Sequence, residues 1–161
     1  MENYKLDEID IEILNLLQKD GLMTYKEVGY KLKKSITPIA GRIHRLRASG
    51  YIKRTVALVD IQKIRTTFIA FPHVQLNNHS KEALKEFQEA MVSLPEVMEC
   101  YHLTGHYDFM LKVATTDMVS YNAFLRDKLD SMDYIVTIQS FLVLSAAKHE
   151  TAYHLKSNAQ L

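Results

Sequence analysis

Apolar positions recur at helical spacing through the first fifty residues. Ile9, Ile13, Leu16 and Leu17 form one stripe. Asp7 is a candidate cap before it, Asp10 adds negative charge to the first turn, and Asp20-Gly21 is the stop signal. Thr24-Tyr25-Lys26-Glu27 has the spacing of a capping box and predicts a short second helix burying Val28 and Leu32. Lys33-Lys34-Ser35 reads as a tight turn, with Ser35 as N-cap of a third helix over Ile36–Ala48. Pro38 falls in its first turn and Gly50 lies just past its end. On a helical wheel, Ile36, Ile39, Ala40 and Ile43 share one side. Pro38, Gly41, Arg42, Arg45 and Ser49 share the other, with Thr37 at the edge. Tyr51–Val59 reads as extended structure, a small wing, and Asp60–Thr66 as an ordered connector.

From residue 67 the period alternates. Strand patterns cover Thr67–Leu76, Val97–Thr104, Tyr107–Thr115 and Ile135–Ser145, and helical patterns cover the stretch capped by Ser80 through Leu94 and Asp117–Met132. The order βαββαβ is that of a ferredoxin-like domain. Two helices cover one face of a four-stranded sheet, yet the second and fourth strands are apolar on both sides. The uncovered face therefore calls for another chain, and for a dimer at least. Pro72 conflicts with a central first strand and predicts a bulge or local break. The expected fold class is α+β. Three helices with a small wing span 1–59, a connector 60–66, and a βαββαβ domain with one face left for another chain 67–161, whose last residues from 146 are a tail.

Charge sharpens the division. Residues 1–65 hold thirteen Lys and Arg against eight Asp and Glu, a balance of +5. The remainder holds seven against eleven, a balance of −4, leaving +1 overall. No acidic residue falls between Val28 and Val59, where Lys31, Lys33, Lys34, Arg42, Arg45, Arg47, Lys53 and Arg54 cluster. A single-sign field of this kind fits a polyanion, here double-stranded DNA. Arg42 and Arg45 are expected to hold phosphates or read guanine. Thr37 and Pro38 sit near base edges at the helix start, and Gly41 allows close backbone approach. Lys33, Lys34, Lys53 and Arg54 supply salt-sensitive affinity beside Ser35. For each basic residue taken alone, the plain alternative is a solvated charge, and for Pro38 it is helix initiation.

Other classes find less support. No run approaches the ~18 apolar residues of a membrane span, and there is no signal-peptide core at the start. The single Cys100 suits a reducing, cytoplasmic setting. No nucleophile–base pair, phosphate loop or dinucleotide fingerprint marks an enzyme, and no cofactor is implied. Cys100, His73, His79, His102 and His106 match no structural zinc spacing.

These segments together resemble the Lrp/AsnC, or feast/famine, transcriptional regulators. The resemblance rests on Leu6–Asp10 with Ile13-Leu14, Ser35–Ile39, Arg42–Leu46, Gly50–Ile52 and Ala57–Asp60. In the second half it rests on Leu94–Val97, Glu99–Tyr101 and Thr104–Phe109. It implies a winged helix-turn-helix over 1–59 and a βαββαβ effector-sensing and oligomerisation domain over 67–161, pairing through the sheets into dimers, assembly into rings, commonly octamers, and an amino-acid-like effector bound near the Thr-Gly-x-x-Asp turn. That turn maps onto Thr104, Gly105, His106, Tyr107 and Asp108. His106 stands where the family often has an acidic residue or Asn, Lys33 where a Gly is frequent, and Gly41 where a basic residue is frequent. In this setting Asp108 is either a ligand for an amino group or a turn-stabilising carboxylate, while Ser140 and Phe141 are pocket candidates or packing residues. An architectural DNA-binding protein without effector is the competing reading.

Overall fold

The computed structural model describes residues 4–156, so the outermost parts of both expected domains, including the last residues of the tail, lie outside the described residues. The chain divides into two compact units. One contains residues up to Leu58 together with the segment from Lys148 onward, and the other spans Val59–Ala147. The segment from Lys148 onward, counted above with the second domain, thus groups with the N-terminal unit.

The first unit holds α1 (Glu8–Leu17), α2 (Tyr25–Leu32) and α3 (Ile36–Ala48). Each begins where the sequence predicts. Asp7 and Asp10 close a reciprocal capping box on α1, and Thr24 and Glu27 close another on α2. Ser35 has extended N-cap backbone angles, but its hydroxyl makes no cap hydrogen bond. Ile13, Val28, Ile39, Ile43 and Leu46 are fully buried or within 1 % of it and form the core, with Leu6, Ile9, Leu16, Leu17, Leu32 and Ile52 packed around them. At about 1.5–3 kcal/mol for each large apolar side chain buried, this cluster supplies most of the drive to fold. The inward stripe of α3 is rotated from the expected one: Ile36 is half exposed, whereas Leu46 is sealed. Leu46 extends the buried Ile39–Ile43 row by one more turn, while Ile36, in the first turn, is left half in solvent.

The expected wing forms no β ladder. Residues 53–60 carry no strand pairing and stay exposed, while the start of the segment ties back: Ile52 donates its N–H to the Leu46 carbonyl at 3.2 Å and Tyr51 its hydroxyl to the Tyr4 carbonyl at 2.7 Å. Extended propensity without a neighbouring strand leaves the backbone to solvent.

The second unit opens with a single 3₁₀ turn at Ile61–Lys63. It continues with β1 (Phe68–Leu76), α4 (Lys81–Ser93), β2 (Val97–His102), β3 (Phe109–Thr115), α5 (Met118–Phe124) and β4 (Ile135–Leu142). The sheet is antiparallel in the order β2-β3-β1-β4, the ferredoxin-like arrangement. One face is packed by Ala70, Val74, Leu76, Phe109, Leu111 and Val113 against Phe87 and Met91 of α4 and Tyr121 and Phe124 of α5. The alternation buried–half-buried along β3 is unbroken. The expected single helix over 117–132 stops at Phe124 and widens into a π turn at Leu125–Leu129 that still buries Leu129.

Pro72 does interrupt the sheet. The β1–β3 pairing skips Phe71 and Pro72 and resumes at His73↔Met110 in the same register, while Pro72 remains opposite Ser140 on β4. The missing N–H therefore removes a rung on one side only. The bulge lies further on, between Gln75 and Leu76 on the β4 side. By register, Ile69, Phe71, His73, Gln75, Met110, Lys112, Glu99, Tyr101, Gln139 and Phe141 share the face opposite the helices.

Candidate nucleic-acid interface and effector site

The turn between α2 and α3 is built by backbone constraints. Gly29 lies where an added Cβ would stand 2.8 Å from the Lys34 carbonyl oxygen, so only glycine lets the chain reverse so tightly. Lys34 N–H in turn donates to the Gly29 carbonyl at 2.9 Å. Lys33 takes the left-handed conformation, φ 53° and ψ 43°, which glycine usually fills. That is the position where the resemblance led one to expect Gly. The strained lysine projects its charge into solvent beside Lys34, and both are exposed.

Ser35, Thr37, Pro38, Gly41, Arg45, Lys53 and Arg54 are all exposed as well. Because the buried stripe of α3 runs through Ile39, Ile43 and Leu46, the face most remote from the core carries Thr37, Gly41, His44 and Ala48, flanked by Arg45. His44 was missed by sequence reasoning, which centred the wheel on Ile36 and Ala40. Recognising Leu46 as core would have found it. Nothing lies within 4 Å of the Cβ position of Gly41, so this face has an open notch.

Arg42 does not belong to that face. Its Nη1 donates to Asp7 Oδ2 at 2.6 Å and to Asp10 Oδ1 at 2.9 Å, with only 20 % of its side chain exposed. Asp10 is completely buried, and its other oxygen accepts the Tyr4 hydroxyl at 2.7 Å and the Asp7 N–H at 3.2 Å. The expectation that Arg42 is an outward DNA ligand is therefore corrected: two carboxylates of α1 capture it, and it clips α3 to the start of α1. Partial burial pushes the Asp7 carboxyl up, but the Asp10 N–H and the Arg42 guanidinium outweigh it and hold its pKa below the ordinary value. Burial, followed by the bond to Asp10, pushes the Tyr4 phenol up. The exposed Arg45 stacks its guanidinium 5.2 Å from the centre of the same Tyr4 ring, which aligns its stem.

In the second unit the turn over residues 103–108 is tightly tied. Gly105 has φ 121°, a left-handed value that favours glycine. Leu103 N–H donates to the Asp108 carbonyl at 2.8 Å, and Asp108 N–H donates to the Val74 carbonyl at 2.9 Å. The Asp108 carboxylate accepts the Leu76 N–H at 2.8 Å and faces His79 Nε2 at 2.9 Å, with 14 % of its side chain exposed. Both oxygens thus have protein partners, as the turn-stabilising alternative requires. Thr104, Gly105 and His106 are exposed at the tip, and the His106 ring meets Tyr107 edge-on at 4.8 Å. Tyr107 donates its hydroxyl to Gln139 on β4. His73 lies on the same face, 5.5 Å from Tyr107 and 4.8 Å from Phe141 between ring centres.

Ser140 is not brought to this cluster. It points to the helix side and shares a 2.6 Å hydrogen bond with the Tyr121 hydroxyl, whereas Phe141 faces the other way. A separate cleft of about 270 Å3 lies at the far end of β3, against Arg65, Glu96, Thr116 and Ser120. Among the described residues, no group of three or more His, Cys, Asp or Glu side chains is placed to hold a metal ion. Among the described residues, no helix is long and apolar enough to cross a membrane.

A three-helix unit with a tight α2–α3 turn and an exposed basic helix, followed by a βαββαβ domain, defines the class of helix-turn-helix DNA-binding proteins with an appended α/β domain. The AsnC-type helix-turn-helix family model matches residues 6–47, and the Lrp/AsnC ligand-binding-domain model matches residues 69–153. The chain belongs to the Lrp/AsnC family of transcriptional regulators. It is 32 % identical over 148 residues to the Bkd operon transcriptional regulator of Pseudomonas aeruginosa, covering 92 % of this chain and 97 % of that one. It is 29 % identical over 152 residues to the leucine-responsive regulatory protein of Escherichia coli, covering 94 % and 93 %. A transcriptional regulator from Neisseria meningitidis, solved as its L-Met complex, superposes with a TM-score of 0.86 at 31 % identity, covering 93 % of this chain and 97 % of that one.

Proposed function

We propose that this protein binds double-stranded DNA sequence-specifically through α3 and its flanks, and that a small molecule, an amino acid, modulates its DNA affinity or assembly. The supporting observation is the exposed charge of one sign: Lys33, Lys34, Arg45, Lys53 and Arg54 are all exposed, as are Thr37, Gly41 and His44 of α3, and no acidic residue falls from Val28 to Val59. Ser35, Thr37 and Pro38 stand at the α3 start, where helix-turn-helix proteins approach base edges. Two such helices are needed for a dyad-symmetric site, so a homodimer is the working unit. The half-apolar open face of the sheet, with Phe71, Tyr101 and Phe141, supports pairing there and further assembly towards an octamer. DNA as partner places the protein in the cytoplasm.

The effector reading rests on the exposed Thr104–Gly105–His106 tip together with Tyr107, His73 and Phe141, which combine hydrogen-bonding and aromatic groups at one end of the sheet. The leucine-responsive relative and the L-Met complex make aliphatic amino acids the first panel to test. Measuring duplex affinity against salt, with and without each amino acid, tests both parts. Replacing Lys33 and Lys34 by Gln should flatten the log–log salt slope by about one unit per lost phosphate contact. An unchanged slope refutes the surface. DNA binding that ignores every amino acid, with unchanged oligomer size, replaces the sensor with an architectural DNA-binding protein.

A further inference from the structure

Two carboxamides on α1 bind main chain. Asn15 Nδ2 donates to the Leu155 carbonyl at 2.9 Å, and Asn15 Oδ1 accepts the Leu155 N–H at 3.3 Å. Gln18 Nε2 donates to the Tyr153 carbonyl at 2.5 Å, and Gln18 Oε1 accepts the Tyr153 N–H at 2.8 Å. Gln18 Nε2 also donates to Asn15 Oδ1 at 3.1 Å, so each amide orients the other. A carboxamide carries the same donor–acceptor pair as a peptide group and pairs with alternate residues of an extended segment as a neighbouring strand would. The spacing fits. Residues three apart on a helix hold their Cβ atoms about 5–6 Å apart, and alternate residues of a strand repeat at about 6.7 Å. The extra methylene of glutamine spans the difference. Recognition is of backbone, since the Tyr153 side chain is 80 % exposed while its N–H and C=O are both bonded.

We propose that Asn15 and Gln18 form a backbone-reading site for an extended peptide, that its occupant is the stretch 152–156 of this chain, and that occupancy sets the DNA affinity of α3 by holding α1. The last clause rests on the DNA-binding reading above. The stretch follows β4 of the second unit, so the chain enters the DNA-binding unit twice, once through the connector and once here. α1 in turn holds α3 through the Asp7–Arg42–Asp10 clip. A pull on the chain after β4 therefore reaches the recognition helix without passing through residues 59–66.

The test contrasts two substitutions at one position, measured on the full chain by amide hydrogen exchange and by duplex affinity. Tyr153→Pro removes the N–H that Gln18 accepts. It should raise exchange at Leu155 roughly tenfold or more and change DNA affinity at least several-fold. Tyr153→Ala keeps the backbone groups and should leave both near wild type. Asn15→Leu with Gln18→Leu should reproduce the proline result from the other side. Equal exchange in the proline and alanine variants overturns backbone reading. Release of the segment with DNA affinity unchanged overturns the coupling. Failure of the DNA-binding reading itself is distinct, since wild type would then bind no duplex while the exchange contrast persisted.

Discussion

Replacing Arg42 by Met separates a structural arginine from a DNA-contacting one. The substitution keeps most of the aliphatic stem but leaves Asp10, wholly buried, without its cation. Stranding one partner of a buried ion pair costs about 3–5 kcal/mol. Here the figure is smaller. Arg42 keeps 20 % and Asp7 50 % of its side chain in solvent, so the Asp7 half of the clip contributes little beyond a surface pair. Asp10 also retains the Tyr4 hydroxyl and the Asp7 N–H. A loss of about 2–3 kcal/mol follows, and for a unit of this size each kcal/mol moves the melting temperature by about 4–8 °C. The N-terminal transition, followed by near-ultraviolet circular dichroism of Tyr4 and Tyr51, should fall by roughly 10–20 °C. Adding Asp10→Asn to Arg42→Met should recover much of that, because no buried charge is then left unpaired. At a temperature where the variant is folded, its duplex affinity should move no further than in Tyr153→Pro and its salt slope should stay at the wild-type value, while Arg45→Ala weakens binding and flattens the slope. A melting point within about 2 °C of wild type, combined with affinity lost as in Arg45→Ala, would refute the clip and return Arg42 to the DNA surface.

Three further outcomes follow from the same geometry. Lys33→Gly relieves a left-handed lysine and should stabilise the first unit by about 1 kcal/mol in urea denaturation, at the expense of one charge in the salt slope. Gly29→Ala should destabilise it by about 1–3 kcal/mol, because the new methyl meets the Lys34 carbonyl, and a null result would mean the turn relaxes freely. Asp7, Glu27 and Asp117 have carboxyl pKa values below their ordinary range: Asp7 because its hydrogen bonds outweigh partial burial, Glu27 through the Thr24 N–H and hydroxyl, Asp117 through the Ser120 N–H. A depressed folded-state pKa contributes stability above the unfolded value of about 4 and loses it as pH falls through the folded one. Titration from pH 7 downward should therefore show stability declining only below about pH 5, and flattening when Asp7 is replaced by Asn.

The helix starts were legible because capping is local chemistry. Asp7, Thr24, Ser80 and Asp117 each accept a backbone N–H from within the following turn. The strand order was legible through the βαββαβ pattern, and Pro72 through its missing donor. Arg42 was not, because its partners stand 32 and 35 positions away and helical periodicity cannot see them. The rotation of α3 depended on which of Ile36 and Leu46 found neighbours on other helices, a tertiary outcome. Ser140 and Phe141, adjacent in sequence, were grouped into one pocket although strand alternation sends them to opposite faces. The role of 152–156 was invisible because carboxamides carry no periodic signal.

The bonds between Asn15 and Leu155 close a loop of 140 residues. On the ribosome, the three helices emerge first and can collapse around Ile13 and Leu46 while everything downstream is still unmade. Their last hydrogen bonds must wait until the four-stranded domain has been translated and threaded past. A nascent chain stalled in the β4 region would thus carry a helical unit able to meet DNA but lacking its final strap, and its maturation is timed by synthesis of the segment furthest from it in sequence.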